Sequence, residues 1–148
     1  MSTRSQIPFG VTLQVRDACL CLHLQRAARA VARRFDDALR PAGLTSGQFS
    51  LLMSLNRPEP PTIGEVASLL AMDRTTLTAN LKPLRRQGFV KVAVAKDDRR
   101  SRRLSLTPAG HAALRAAVPM WKKTQAEMDR RVAETGADRL RAALRALA

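Results

Sequence analysis

The sequence predicts a mainly α-helical protein with a small β-hairpin wing, a winged helix-turn-helix flanked by N- and C-terminal dimerisation helices. Three observations lead to this fold class. Between residues 62 and 107, two short helical patterns are separated by a brief break and followed by two short strand patterns. The loop between those strands is rich in arginine, and the whole chain carries a net charge of +14. Long helical patterns with spare apolar residues lie on both sides.

The N-terminal part predicts an arm followed by a long helix. Residues 1–14 contain few regular signals and predict an arm that can reach a partner subunit. Apolar residues with helical spacing then run from about Val15 to Arg40, and Pro41 ends the helix. Residues 15–43 and 108–148 contain more apolar surface than their own chain covers, which predicts a helical region that forms a homodimer.

Two capping boxes indicate the beginnings of helices in the predicted DNA-binding domain, residues 44–107. Thr45 with Gln48 opens one helix. A proline-rich linker follows, and Thr62 with Glu65 then opens the first helix of the helix-turn-helix. In each box the two side chains satisfy N–H groups that the first helical turn leaves free.

The next helix has the pattern of a recognition helix. It follows the break Ala71–Asp73, and Leu77, Leu81 and Leu84 form its buried stripe. Pro83 predicts a bend, which either steers the following arginines or only accommodates packing. The opposite face combines cations with short hydroxyls, which favours contact with base edges in a major groove, although an ordinary solvated face has the same composition. Its candidate DNA-binding residues are Arg74, Thr75, Thr76, Thr78, Lys82 and Arg86.

A basic hairpin follows the recognition helix. Gly88 ends the helix, and residues 89–94 and 103–106 are strand formers. The loop at residues 96–103 carries five cations against two anions. A basic loop beside a helix-turn-helix is a wing, and arginine is favoured in the narrow, electronegative minor groove. The candidate DNA-binding residues of the wing are Asp98, Arg99, Arg100 and Arg102.

Three segments resemble the MarR family of winged helix-turn-helix transcription regulators. Asp98–Arg100 and Leu104–Gly110 look like its wing and wing-to-helix signature. Leu44–Phe49 is similar to the second helix of the family. The resemblance extends from about residue 21 to residue 148, and the wing segment is its most specific part.

The resemblance implies how the predicted protein works. It implies a homodimer whose first and last helices interlock, and a wing whose Arg100 enters the minor groove while Asp98 orients it. We therefore expect a sequence-specific regulator of double-stranded DNA, a repressor on a palindromic operator, that an unknown small-molecule effector releases. A ligand cleft lined by residues such as Met120 and Trp121 is one interpretation of the last long helix, and simple packing is the other.

Cys19, Cys21 and His23 form a second candidate constellation. Within one helix Cys19 and His23 share a face, whereas Cys19 and Cys21 point in nearly opposite directions and cannot pair. Cys21 lies where the hydroperoxide-sensing branch of the family has its reactive cysteine, but Gln25 and Phe35 replace that branch's tyrosines. A redox-sensing repressor that uses Cys21, an intersubunit disulfide, a metal site and inert packing are the alternatives, and we expect neither a metal nor a cofactor.

Other classes of protein find less support. The sequence has no phosphate loop, nucleophile elbow or zinc-protease motif, so we expect no enzyme. Only 3% of its residues are aromatic, which leaves little for stacking RNA bases. No apolar run is long enough for a membrane span and no secretory signal is visible, so we expect a cytoplasmic protein without a membrane partner. A non-specific architectural DNA-binding protein remains an alternative.

Overall fold

The computed structural model describes residues 6–148, and the first five residues of the predicted arm lie outside them. Seven α-helices and one two-stranded antiparallel sheet make up this part of the chain, which confirms the predicted fold class. The elements in chain order are α1 Phe9–Ala18, α2 Leu20–Leu39, a 3-10 turn Arg40–Ala42, α3 Ser46–Ser54, α4 Ile63–Leu69, α5 Arg74–Arg86, β1 Val90–Val94, β2 Arg102–Leu106, α6 Pro108–Arg131 and α7 Ala137–Arg145.

One apolar core holds the DNA-binding half together. Helices α3, α4 and α5 and strand β2 each contribute side chains that are completely buried. The members of this core with no exposed surface include Leu52, Val66, Leu77, Leu84 and Leu104. Because α5 buries its leucine stripe in this core, its opposite face is turned to solvent.

The helix-turn-helix forms where the sequence predicts it. The N–H of Glu65 donates to Oγ1 of Thr62 at 3.1 Å, and the N–H of Thr62 donates to Oε2 of Glu65 at 3.0 Å, which confirms the capping box. In the turn, Ala71 has a φ of +50°, a left-handed conformation that is unusual for alanine. Helix α5 continues through Pro83, and the N–H of Gln87 donates to the carbonyl oxygen of Pro83 at 3.0 Å.

The wing hairpin is joined to the linker that precedes α4. Strands β1 and β2 pair with Val90 opposite Leu106 and Val92 opposite Leu104. Near the loop end of the hairpin, Thr62 and Arg103 form an additional β-bridge. The wing is therefore attached to the beginning of the helix-turn-helix as well as to its end.

The predicted first helix is wrong in its bounds. Helix α1 begins at Phe9, inside the predicted arm. The helical conformation is then interrupted at Cys19, and α2 begins at Leu20. Cys19 has an extended backbone, with φ −72° and ψ 110°, and its Sγ accepts a long hydrogen bond of 3.5 Å from the N–H of Leu22. Cys19 thus caps α2 from outside the helix, which the apolar spacing alone does not reveal.

The C-terminal helices also differ slightly from their prediction. Thr107 caps α6 with Pro108 in its first turn, as expected, but the helix ends at Arg131 rather than continuing to Gly136. Gly136 has a φ of +90° and turns the chain into α7. Among residues 6–148, no helix combines the length and the apolar character that a membrane crossing requires.

Candidate nucleic-acid interface

The solvent face of α5 carries the predicted contacts. At ~100° per residue, Thr75, Ala79, Lys82 and Arg86 lie opposite the buried leucines and form the outermost stripe of the helix. All six predicted residues of this helix are exposed. Because Ala79 is small, the middle of this stripe lets the backbone of α5 approach a partner closely.

The three threonines of α5 differ in what their hydroxyl groups do. The hydroxyl of Thr76 donates to Oδ2 of Asp73 at 2.8 Å, and the hydroxyl of Thr78 donates to the carbonyl oxygen of Arg74 at 2.8 Å. Within residues 6–148 the hydroxyl of Thr75 makes no hydrogen bond, so Thr75 can both donate to and accept from a base edge. The hydroxyl groups of Thr76 and Thr78 already donate their protons within the protein. They can therefore accept a hydrogen bond from a base edge but cannot donate one.

Asp73 fixes the beginning of the recognition helix. Its Oδ1 accepts the N–H of Thr76 at 2.7 Å. This backbone bond, followed by the bond from the Thr76 hydroxyl, holds the pKa of the Asp73 carboxyl below its usual range. Asp73 therefore carries its charge at the N-terminus of α5, where the helix dipole favours an anion.

Arg74 lies across the beginning of α4. A Cβ atom added to Gly64 would come within 2.8 Å of the Arg74 guanidinium, so the absence of a side chain at Gly64 makes room for it. No local sequence pattern marks Gly64, because only the fold brings it against α5. Arg74 thereby lines the same cleft as residues of the wing.

Asp98 organises the tip of the wing through the backbone. Its Oδ1 accepts the N–H of Arg100 at 2.9 Å, and its carbonyl oxygen accepts the N–H of Ser101 at 3.0 Å. The side chains of Arg99, Arg100 and Arg102 are exposed, as predicted. Asp98 thus orients Arg100 by fixing the turn that carries it, and its carboxylate bonds to the Arg100 backbone rather than to the guanidinium.

A cleft of about 470 Å³ joins the recognition helix to the wing. It brings Arg74 and Thr78 of α5 together with Asp98, Arg100 and Arg102 of the wing. Three arginines on one concave surface produce a positive potential that suits a polyanion. The structure therefore brings members of both predicted groups of contact residues together in one cleft.

A second basic surface lies at the C-terminal end of α5. Lys82, Arg85 and Arg86 line an open depression there. Arg85 is one of the two arginines that follow Pro83, and it lies beside Arg86 in the last turn of α5. These three cations extend the basic surface away from the wing.

The two cysteines lie at the break between α1 and α2. Cys19 is partly buried, and Cys21, in the first turn of α2, is exposed. Nδ1 of His23 lies 2.8 Å from the carbonyl oxygen of Cys19. Because Cys19 lies outside α2, the prediction that both cysteines belong to one helix is wrong, and the geometric argument against their pairing no longer holds.

Comparison with known proteins agrees with this geometry. The model of the MarR family matches residues 42–101, which include the helix-turn-helix and most of the wing. A crystal structure of the M. tuberculosis transcriptional regulator MosR in complex with DNA is 41% identical to this chain, with a TM-score of 0.80 over 87% of this chain and 92% of that one. The chain belongs to the MarR family.

Two further relatives bear on the function of this MarR-family protein. A structure of the transcriptional repressor CouR bound to a 23-mer DNA duplex is 29% identical, with a TM-score of 0.72 over 97% of this chain and 96% of that one. The organic hydroperoxide resistance transcriptional regulator of Bacillus subtilis (strain 168) is 30% identical over 91 residues, which are 62% of each chain. The first curated relatives are matched over only 50–62% of their own length.

Membership of the MarR family determines the general activity. The family consists of transcription regulators and not of enzymes, so this chain is a DNA-binding transcription regulator. The likeness to the DNA-bound relatives covers 87% and 97% of this chain, and therefore includes helices that flank the winged helix-turn-helix.

Proposed function

We propose that this MarR-family regulator is a repressor that binds a palindromic operator as a homodimer and is released by a small-molecule effector. The observation that carries the proposal is the basic cleft, because it joins Arg74 of the recognition helix to Arg100 of the wing on one exposed surface. The recognition helix contacts base edges in the major groove, and Arg100 contacts the adjacent minor groove. The site residues are those predicted from the sequence.

The homodimer is supported by the terminal helices. Neither α1 nor α7 buries a single residue within the described part of the chain. Helices of 10 and 9 residues are marginal on their own, so they need a surface to pack against. The large apolar side chains that they and the first half of α2 expose are Phe9, Val11, Val15, Leu20, Leu24, Leu140 and Leu144. We propose residues 15–43 and 108–148, extended by α1, as the dimerisation region.

The homodimer sets the spacing of the two recognition helices. A two-fold axis relates the half-sites, and two helices in successive major grooves lie about 34–36 Å apart. Any change in the scaffold that alters this spacing weakens operator binding by the difference in free energy between the two arrangements.

The effector acts through the contact between α2 and α3. Oδ1 of Asp36 on α2 accepts the N–H of Ser46 at 2.6 Å, at the beginning of α3. Between α2 and α6 lies a cleft of about 420 Å³ to which Arg34, Met120 and Thr124 contribute. Trp121 does not line this cleft and instead stacks on Phe49, with ring centroids 6.1 Å apart. A ligand in this cleft can move α2 and, through Asp36, α3.

Selection of bound duplexes from random sequence tests the proposal. We expect one enriched palindrome, with footprints over two half-sites related by two-fold symmetry. A non-specific architectural protein would instead enrich no sequence and bind every duplex with similar, strongly salt-dependent affinity. The same selection therefore separates the two alternatives.

Arg100→Ala is expected to weaken operator binding and to lower the slope of log affinity against log salt concentration by roughly 1, because one phosphate or minor-groove contact is lost. Titration of the selected operator at several salt concentrations measures both quantities. Lys91→Ala on β1 is the matched control, because it removes one exposed cation of the hairpin that is not among the predicted contacts. Affinity and slope equal to those of the wild type would exclude the wing from the interface.

A redox-sensing repressor is a second candidate because of one observation. Cys21 is exposed in the first turn of α2, immediately after the break between two scaffold helices, and oxidation there would alter their packing. The hydroperoxide resistance regulator is among the relatives. Against this candidate, the chain contains no tyrosine to accompany the thiol.

Peroxide titration decides the redox candidate. Under that candidate, wild-type protein loses operator binding as peroxide is added, and Cys21→Ser keeps it. Cys19→Ser is the matched control, since it changes the neighbouring partly buried thiol. Equal release of DNA by wild type and Cys21→Ser would leave the small-molecule effector as the mode of regulation.

A further inference from the structure

Arg103 differs from the other wing cations in its contacts. Its Nη1 donates to the carbonyl oxygen of Pro60 at 2.8 Å, and its Nη2 lies 3.8 Å from Oδ2 of Asp97. Only 35% of its side chain is exposed. The guanidinium of Arg103 is thus directed toward the protein, whereas the side chains of Arg99 and Arg100 are exposed.

The backbone at Arg103 is attached to the same linker. Arg103 pairs with Thr62 in the isolated β-bridge, and the N–H of Leu104 donates to the carbonyl oxygen of Pro61 at 2.9 Å. Thr62 is also the N-cap of α4. The side chain and backbone of this one residue therefore join the wing to the beginning of the helix-turn-helix.

We propose that Arg103 is a positioning residue that holds the wing beside the recognition helix and does not itself contact DNA. The inference rests on the proposed function, in which Arg100 contacts the minor groove. A wing that is free to move loses conformational entropy when DNA binds, and a wing held in place beforehand avoids that loss. The bond to Pro60 carries this role, because an exposed ion pair such as that with Asp97 contributes little.

A double-mutant cycle tests the positioning role on the selected operator. We expect Arg103→Met to weaken binding by about tenfold, the effect of one lost hydrogen bond to a charged group, while the salt slope stays that of the wild type. The double variant Arg103→Met/Arg100→Ala should bind no more weakly than Arg100→Ala, because Arg103 acts through Arg100. Lys91→Met on β1 removes one exposed cation without breaking a contact and reports the effect of charge alone.

Two outcomes would overturn the proposal. If the salt slope of Arg103→Met falls by about 0.9 and its loss adds fully to that of Arg100→Ala, then Arg103 contacts a phosphate. If Arg100→Ala changes neither affinity nor slope, the wing does not bind DNA, and the wing part of the proposed function fails with the inference.

Thermal unfolding shows whether Arg103→Met still folds. A second variant tests the positioning role if it does not. Arg103→Lys keeps the charge but loses the forked donor that reaches Pro60 and Asp97 together. A fall in operator affinity at an unchanged salt slope supports the positioning role. Wild-type affinity in this variant contradicts it, because charge alone would then be sufficient.

Discussion

Gly110→Ala is expected to destabilise the protein by about 1–3 kcal/mol or more, the cost of inserting a group into a packed interior. A Cβ atom on Gly110 would overlap the carbonyl oxygen of Phe89 and lie 3.1 Å from its carbonyl carbon. These are backbone atoms, and the same carbonyl oxygen accepts the N–H of Thr107 at 3.0 Å. The new methyl group can therefore be accommodated only if the first turn of α6 moves away from the base of the wing.

Denaturant unfolding measures this effect, with Gly47→Ala as the matched control. Gly47 is also a helical glycine, in α3, but a Cβ atom added to it would meet nothing within 4 Å. Its replacement should be neutral or slightly stabilising, because alanine favours the helix more than glycine does. Equal unfolding midpoints for the two variants would mean that α6 can shift away from Phe89 at no cost.

The motif that includes Gly110 could be predicted from the sequence only in part. Leu104–Gly110 indicated the MarR family, but the sequence offered no physical reason for its glycine. That reason is the approach of α6 to Phe89, a contact across 21 residues that no local pattern contains. The wing and both capping boxes could be predicted because their signals are local: a cap and its partner lie three residues apart, and a strand alternates every second residue.

The differences from prediction arise where the backbone changes direction without the residue types that usually mark such a change. No proline or glycine marks the break at Cys19, so the apolar pattern predicted one continuous helix. Ala71 adopts a left-handed conformation that glycine or asparagine usually takes, because the turn between α4 and α5 requires it. In the candidate site, the sequence pattern predicted which residues of α5 are exposed, whereas the hydroxyl bonds of Thr76 and Thr78 became visible only in the folded helix.

Leu144→Asp is expected to separate the dimer into monomers and to weaken operator binding by roughly 10²–10⁴-fold, because two linked half-site contacts become independent. Leu144 is 40% exposed on α7, a helix that buries none of its residues. At ~100° per residue it shares a face of α7 with Leu140. A carboxylate placed in that apolar face would lose its hydration at a dimer interface without gaining a partner, so the monomer becomes the favoured state.

Ala142→Asp is the control that tests the face rather than the helix. It adds the same charge and the same poor helix former to α7, but on the side opposite Leu144. Sedimentation at a series of protein concentrations should give monomers for Leu144→Asp and dimers for Ala142→Asp, and operator affinity should fall only in the first. Dimers in both variants would place the subunit interface elsewhere, and monomers in both would show that dimerisation needs the whole of α7 rather than its apolar face. If Leu144→Asp is monomeric and Ala142→Asp is dimeric, the leucine face of α7 forms the subunit interface. That interface then sets the spacing of the two DNA-binding domains.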